Sequence, residues 1–301
     1  MQASDTMSPS TVDKDGLARY WSCGGRLLDL SRPLIMGILN VTPDSFSDGG
    51  RHDGKARALD WAQQMTEDGA DIIDIGGEST RPSAGAVSVD EELRRVMPVL
   101  EALCEQGHLV SVDTSQPEVM RRALQAGAAI LNDVRAFEVP GALEVAAAST
   151  AGLVIMHGAA EAGLAGCDKG ARAVGEADVV ARVEAYLRRR EAALLAAGVD
   201  SARICWDAGF GFGKNVEENF AVLAATRRYA ALGRPCLMGL SRKSSLGAVT
   251  GIKEPRERVA ASVAGALLAA ERGARILRVH DVRETRDALA VWSAVRSAEG
   301  G

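Results

Sequence analysis

Eight short apolar runs in this chain each end in a polar or charged group. In order these are Asn40, Asp74, Asp113-Thr114, Asn132-Asp133, Met156-His157, Asp207, the Ser241-Arg242-Lys243-Ser244 stretch, and Arg278 with His280-Asp281. Taken singly, each has an ordinary explanation. An Asp after a strand often closes a turn or caps a helix, and a cation at a strand end usually reaches water. Eight such ends are harder to explain by turn chemistry, and their convergence is the signal. The residue types also divide into two jobs. Asp113, Asn132 and Asp207 offer acceptors, and an ionised carboxylate accepts only. They suit a planar ligand with several N–H donors, such as an aminopyrimidine ring. Asn40, Arg81, Arg242, Lys243, Arg278 and His280 offer donors and positive charge, which suits phosphate or pyrophosphate. An oxygen-liking ion such as Mg²⁺, bridging phosphates and Asn40, fits the same set. Zinc does not, because Cys104 and Cys205 lie within a helix and a strand without ligand spacing.

The elements that must position these groups follow from apolar pattern and punctuation. Strands are predicted near 34–39, 71–75, 109–112, 128–131, 152–156, 203–206, 235–240 and 275–279. Continuous apolar runs of this length mark strands covered on both faces. Helical patterns lie between most of them, at 54–69, 89–106, 117–126, 141–149, 176–197, 216–231, 255–272 and 283–297. Thr114-Ser115 reads as the N-cap of the third, with Pro117 just inside. Gly69, Gly107, Gly127, Gly198 and Gly273 stand as helix stops before the next strand. Tyr20 to Leu30 reads as a short hairpin or cap. Eight strand–helix units in this length predict an α/β fold, a single (β/α)8 TIM barrel whose active site lies at the C-terminal strand ends. The G-x-G-x-x-G signature of a doubly wound sheet is absent after the first strand. The Gly209 to Gly213 run has the wrong spacing and follows the sixth strand.

Composition sets the outer limits. Hydrophobic residues make 47% and charged residues 25% of 301, which is enough apolar material for one large core. The formal net charge of −5 gives no reason to expect nucleic acid as a partner. An anionic substrate must therefore be held by a local cation cluster. Five cysteines have no C-x-x-C spacing, so free thiols in a reducing compartment, the cytoplasm, are expected. No apolar run reaches the ~18 residues of a membrane span. Residues 1–16 read as a disordered tail, 17–297 as one barrel domain and 298–301 as a short C-terminal tail.

A polar loop follows the first strand, in Met36-Gly-Ile-Leu-Asn-Val-Thr-Pro-Asp-Ser-Phe-Ser-Asp-Gly-Gly50. Together with Gly76-Gly-Glu-Ser-Thr-Arg-Pro82, Ser111-Val-Asp-Thr114, Leu131-Asn-Asp-Val134, Met156-His157, Gly209-Phe-Gly-Phe-Gly-Lys214, Ser241-Arg-Lys-Ser244 and Arg278-Val-His-Asp281, it closely resembles the dihydropteroate synthases, over roughly residues 34–290. The resemblance implies a transferase of folate biosynthesis. Such an enzyme joins 4-aminobenzoate to 6-hydroxymethyl-7,8-dihydropterin pyrophosphate, giving 7,8-dihydropteroate and pyrophosphate. It implies Asp113, Asn132, Met156, Asp207, Phe212, Lys243 and Arg278 for the pterin, and Asn40, Arg278 and His280 for the pyrophosphate. It implies Asn40 as the protein ligand of Mg²⁺. Phe46, Thr80, Arg81, Pro82, Lys243 and Ser244 are implied for aminobenzoate, where sulfonamides would compete. The residues central to catalysis would be Asn40, Lys243, Arg278 and His280. A homodimer is expected, with the Ala-rich helix 255–272 a candidate interface and a core helix the equally good alternative. Asn40 should belong to the rigid rim, and Val41–Gly50 should act as a lid over the second substrate.

Three positions depart from the family pattern. Ala208 follows Asp207 in place of Pro, an expected loosening of that loop. Ser83 replaces a common Gly after Arg-Pro, and Gly158-Ala159-Ala160 replaces a Met-x-Gly run after His157. None removes a group the chemistry needs. A corrinoid-dependent methyltransferase barrel would share the Asp and Asn set but not the first loop or the Arg-Pro loop. The complete set of charged positions argues against a catalytically silent pterin binder.

Overall fold

The barrel is built by alternation, residue by residue. In the computed structural model, which describes residues 12–13, 15–42, 51–78, 87–158 and 178–299, with the backbone alone for 51–53 and 299, eight parallel strands close into a ring. They are β3 (Leu34–Asn40), β4 (Ile72–Gly76), β5 (Val110–Asp113), β6 (Ile130–Asp133), β7 (Gly152–Met156), β8 (Ile204–Asp207), β9 (Cys236–Met238) and β10 (Ile276–Val279). β10 pairs with both β9 and β3, which closes the ring. Successive side chains on a strand point to opposite faces. One set, including Ile35, Leu39, Ile73, Ile75, Val112, Leu131, Ile155, Trp206 and Leu277, packs outward against the helices. The other set, Leu34, Met36, Ile72, Ile130, Val154, Cys205, Leu237 and Ile276, fills the lower half of the interior.

The outer ring consists of α1 (Arg51–Glu67), α2 (Val89–Glu105), α3 (Pro117–Gln125), α4 (Ala142–Ala147), α5 (Val179–Ala196), α6 (Val216–Ala224), α7 (Thr226–Ala230), α8 (Ser244–Thr250), α9 (Val259–Glu271) and α10 (Val282–Glu299). Four local readings change. The N-cap of α3 is Gln116, without a side-chain cap bond. Thr114 Oγ1 instead accepts from the Gln116 amide at 3.1 Å, and the Ser115 hydroxyl is taken by Asp133. The single helix expected over 216–231 is two, with the Thr226 hydroxyl bonding back to the Leu223 carbonyl at 2.7 Å beside the break. α8 was not expected, because seven residues after the Ser-Arg-Lys motif are too few for a clear helical period. The helix expected from 255 starts at Val259, after a 3-10 turn over Pro255–Glu257.

An antiparallel hairpin, β1 (Tyr20–Cys23) and β2 (Arg26–Asp29), closes the N-terminal end of the barrel. Trp21 is fully buried there and its indole N–H donates to the Arg203 carbonyl at 2.8 Å. Within the expected N-terminal tail, Asp13 pairs with the buried Arg275 at 2.6 Å and accepts from the Leu17 amide. Residues 1–11 lie outside the described residues.

Candidate active site

Two residues further up β4, β6, β8 and β10, the interior changes from hydrocarbon to the polar and charged groups Asp74, Asn132, Asp207 and Arg278. The parallel register sets Asn40 beside Gly76, Gly76 beside Asp113, and Asp113 beside Asn132. Gly76 keeps this row open, since a Cβ there would stand 3.6 Å from Asp113 Cβ and 3.7 Å from Asn40 Oδ1. One level lower, Arg278 donates from Nε to Asp74 Oδ2 at 2.6 Å and from Nη2 to Asp113 Oδ2 at 2.7 Å. Asn132 Nδ2 donates to the same Asp74 oxygen at 3.2 Å. Asp74 has no exposed surface. It is thus the hidden keystone of the cluster, holding Arg278 and Asn132 in the orientations that the mouth requires. Its strand-end position was visible in the sequence, but its pairing with a residue 204 positions later was not.

Charge in this pocket is strongly biased by burial. Burial pushes the Asp113 carboxyl up to about 7, against the pull of Arg278, with Asp74, Asp133 and Glu92 adding to the rise. Burial also raises Asp207, while Lys243 and the Gly209 amide act in the opposite sense. Burial works against the Arg278 cation, yet Asp74, Asp113 and Asp207 outweigh it, and its pKa stays above the ordinary value. Arg278 therefore remains charged throughout the accessible range.

The opposite wall carries Met156, which is buried, Phe212 and Lys243. The Lys243 ammonium lies 4.3 Å from the centre of the Phe212 ring and donates to the Phe210 carbonyl. Burial lowers its pKa to about 8, with Asp207 pulling it back up. Asp207 Oδ1 accepts from the Gly209 amide at 2.8 Å. Ala208, at the position where the family pattern has Pro, is buried beside the Asp207–Gly209 bond. Ser244 is exposed in the first turn of α8, directly after Lys243 at the N-cap. His280 is held by Ser241, whose hydroxyl lies 3.2 Å from the His280 amide and 3.1 Å from Nδ1. The sequence does not mark Ser241 as a site residue, because a Ser before Arg-Lys carries no signal of its own.

Several polar strand ends prove structural. Asp133 closes a turn, accepting from the Ser115 hydroxyl and from the amides of Arg135 and Phe137 at 2.8 and 2.7 Å. The sequence places Arg242 among the phosphate-binding cations, but its guanidinium pairs with Asp281. It adopts a left-handed backbone, φ 59°, stabilised by bonds from its amide to Ser262 and from Arg258 to its carbonyl. Phe46, Thr80, Arg81, Pro82, Ser83 and the proposed lid after Thr42 lie outside the described residues.

Among the described residues no group of three or more His, Cys, Asp or Glu side chains could hold a metal. Asn40, exposed at the rim, offers a single oxygen. That donor set fits only an ion that keeps most of its waters and is carried by phosphate oxygens.

Residues 36–280 match the family model described as pterin binding enzyme. A dihydropteroate synthase of Escherichia coli K12 is 46% identical over 277 residues, covering 91% of this chain and 96% of its own. Among solved structures, a Xanthomonas albilineans dihydropteroate synthase with 4-aminobenzoic acid is 50% identical with a TM-score of 0.85, covering 92% of this chain and 98% of that one. The enzyme from the same organism in complex with 7,8-dihydropteroate is 48% identical with a TM-score of 0.82, again covering 92% and 98%. With the closed barrel, its charged mouth and these relatives together, the chain belongs to the pterin binding enzymes, in the dihydropteroate synthase family.

Proposed function

We infer that this chain condenses 4-aminobenzoate with 6-hydroxymethyl-7,8-dihydropterin pyrophosphate to give 7,8-dihydropteroate and pyrophosphate. The observation that carries this reading is the single mouth in which Asp113, Asn132 and Asp207 face Arg278 and Lys243. In the reaction the C–O bond to pyrophosphate breaks and the aniline nitrogen bonds to the same CH₂, losing a proton to water. The pterin ring can delocalise positive charge on that carbon, so charge builds mainly on the departing pyrophosphate. Arg278 and His280 stabilise that charge. Asp113, Asn132 and Asp207 accept the ring N–H groups. Lys243, laid over Phe212, forms the wall against which the ring is seated. The remaining task is to place a weak amine nucleophile in line, a matter of proximity. Mg²⁺ bound to the pyrophosphate would neutralise its charge, and the Asn40 oxygen is the group here that would ligate it. Sulfonamides, as aminobenzoate mimics, would compete at Lys243 and Ser244.

Incubation with both substrates and Mg²⁺ should release pyrophosphate only when aminobenzoate is present. Release independent of aminobenzoate, or none at all, would overturn the assignment.

Asp113 also predicts a pH dependence. Arg278 occupies its Oδ2, leaving Oδ1 for the ligand, and ring N–H donors require the ionised form. The folded carboxyl releases its proton at about 7 rather than 3.8. Its contribution to stability is therefore present below 3.8 and lost as pH rises through 7. Binding has the opposite sign. The affinity for 6-hydroxymethyl-7,8-dihydropterin, which lacks phosphates, should rise about thirtyfold from pH 5.5 to a plateau above 7. The Asp113→Asn variant should bind weakly with a flat profile; a rise of the same size in that variant would exclude Asp113 as the titrating group.

The chain is further proposed to pair with a second copy through α9 and α10. Leu268, Val291 and Val295 are large apolar side chains left 47%, 67% and 53% exposed on these two packed helices. Sedimentation should give a dimer for the wild type and a monomer for Leu268→Glu combined with Val291→Glu. A monomeric wild type at micromolar concentration would refute the pairing. A cytoplasmic location accords with Cys23, Cys104, Cys205 and Cys236, all free thiols. No helix among the described residues is long and apolar enough to cross a membrane.

A further inference from the structure

The loop between β8 and α6 carries Phe212 and lies against Lys243, yet its backbone has little intrinsic order. Gly209 and Gly211 take left-handed φ values of 67° and 84°. Both also press closely on neighbours. A Cβ at Gly209 would collide with the His157 carbonyl oxygen, and one at Gly211 would stand 2.6 Å from Lys243 Cδ. Such a loop needs a fastener, and the structure supplies one in Lys214. Its Nζ lies 2.9 Å from the Gly209 carbonyl, 3.1 Å from the Phe212 carbonyl, 3.2 Å from the His157 carbonyl and 2.9 Å from His157 Nδ1. An ammonium has three protons for these four acceptors, so its donor capacity is saturated. Asn219 of α6 completes the lashing. Its Oδ1 accepts from the Gly211 amide at 2.6 Å, and its Nδ2 donates to the Lys214 carbonyl at 3.1 Å and the Ser245 hydroxyl of α8 at 2.9 Å.

We propose that Lys214 is a positioning residue for the pterin pocket: its side-chain amine ties the Gly209–Lys214 loop to the end of β7 and thereby fixes Phe212 and Lys243 against the ring. The inference rests on the reading of this mouth as a pterin site. The four pocket residues Met156, Asp207, Phe212 and Lys243 sit on the segments this one side chain joins or on the residue that lies against them. Holding an amine here is costly. Burial lowers the Lys214 pKa to about 7, with Asp207 and Glu218 acting to raise it and Lys243 and Arg182 to lower it. A residue needed only to fill space would not carry that cost. Lys214 touches no substrate in this scheme. It acts through the two side chains that do.

The test uses full-length protein and calorimetric titration with 6-hydroxymethyl-7,8-dihydropterin. Lys214→Met keeps the length of the side chain and removes every donor. It should weaken binding at least tenfold, and Lys214→Gln, which keeps an amide donor, should fall between it and the wild type. Thermal unfolding of each variant is measured alongside. A lower unfolding temperature with unchanged affinity in Lys214→Met would show a purely structural role and overturn the proposal. Should that variant fail to fold, wild-type affinity in Lys214→Gln overturns it equally. Asp207→Asn separates failure of the positioning role from failure of the pterin site. Loss of binding there with none in the Lys214 variants refutes only the positioning role, whereas a wild type that binds no pterin refutes the site itself.

Discussion

Replacing Arg278 with Met should cost about 3–5 kcal/mol of stability in urea unfolding and lower turnover by about 10²–10³. The two effects have separate origins. Arg278 is the only cation bonded to Asp74 among the described residues, and it also bonds Asp113. Without it, a carboxyl with no exposed surface and its neighbour face each other unpaired. Asp113, which burial already raises against the pull of Arg278, would then resist ionisation further, so the loss of stability should be smaller at pH 5 than at pH 8. Adding Asp74→Asn to Arg278→Met removes one of the stranded charges and should restore part of the stability, with no recovery of turnover, because the cation proposed to hold the pyrophosphate is still missing. Full wild-type stability of Arg278→Met would show that the Asp74–Arg278–Asp113 triad is not coupled as its geometry requires.

Asp207→Asn is expected to weaken pterin binding at least a hundredfold while leaving the fold intact. The carboxylate uses Oδ1 for the Gly209 amide, a bond an Asn oxygen can keep. The other oxygen is then the only one left to accept from the ring, and in Asn it becomes an NH₂ that meets ring N–H groups donor to donor. A site built to accept hydrogen bonds loses far more from such a swap than the bond itself is worth, because the ligand's donors are left buried and unpaired. Calorimetric titration of the variant is the measurement. Affinity within threefold of wild type would remove Asp207 from the pterin site.

Much of this was legible in the sequence because a barrel strand enforces a period of two. All eight expected strands are present within a few residues of their predicted bounds. Once Leu34, Ile72, Ile130, Cys205 and Ile276 are known to face inward, Asp74, Asn132, Asp207 and Arg278 must do so too. The same parity turns Asp133 toward its own loop and leaves Asp281 for Arg242, which separates ligand-facing residues from turn-making ones at strand ends where the two stand side by side. What the sequence could not show was pairing across distance. Nothing local ties Asp74 to Arg278, Ser241 to His280, or Lys214 to the His157 carbonyl. Those contacts exist only after the ring closes. Short elements were the other weakness: α8 and the break at Ala225 are decided by hydrogen bonds to neighbours rather than by apolar period.

The Trp21 hairpin has a consequence for how the chain becomes a barrel. Its indole bonds a carbonyl 182 residues later, and the strand that completes the ring, β10, pairs with β3 some 240 residues apart. Contacts that distant carry their full loop-closure entropy before they return any stabilisation, so they form late and slowly. During synthesis at about 5–20 residues per second, the N-terminal segment must wait many seconds for its partners. Through that interval Trp21 and the open edge of β3 are exposed to wrong pairings. The Trp21 hairpin and β3, made early in synthesis, are thus among the last elements of the barrel to find their partners, and that makes the half-built barrel a natural client for chaperones.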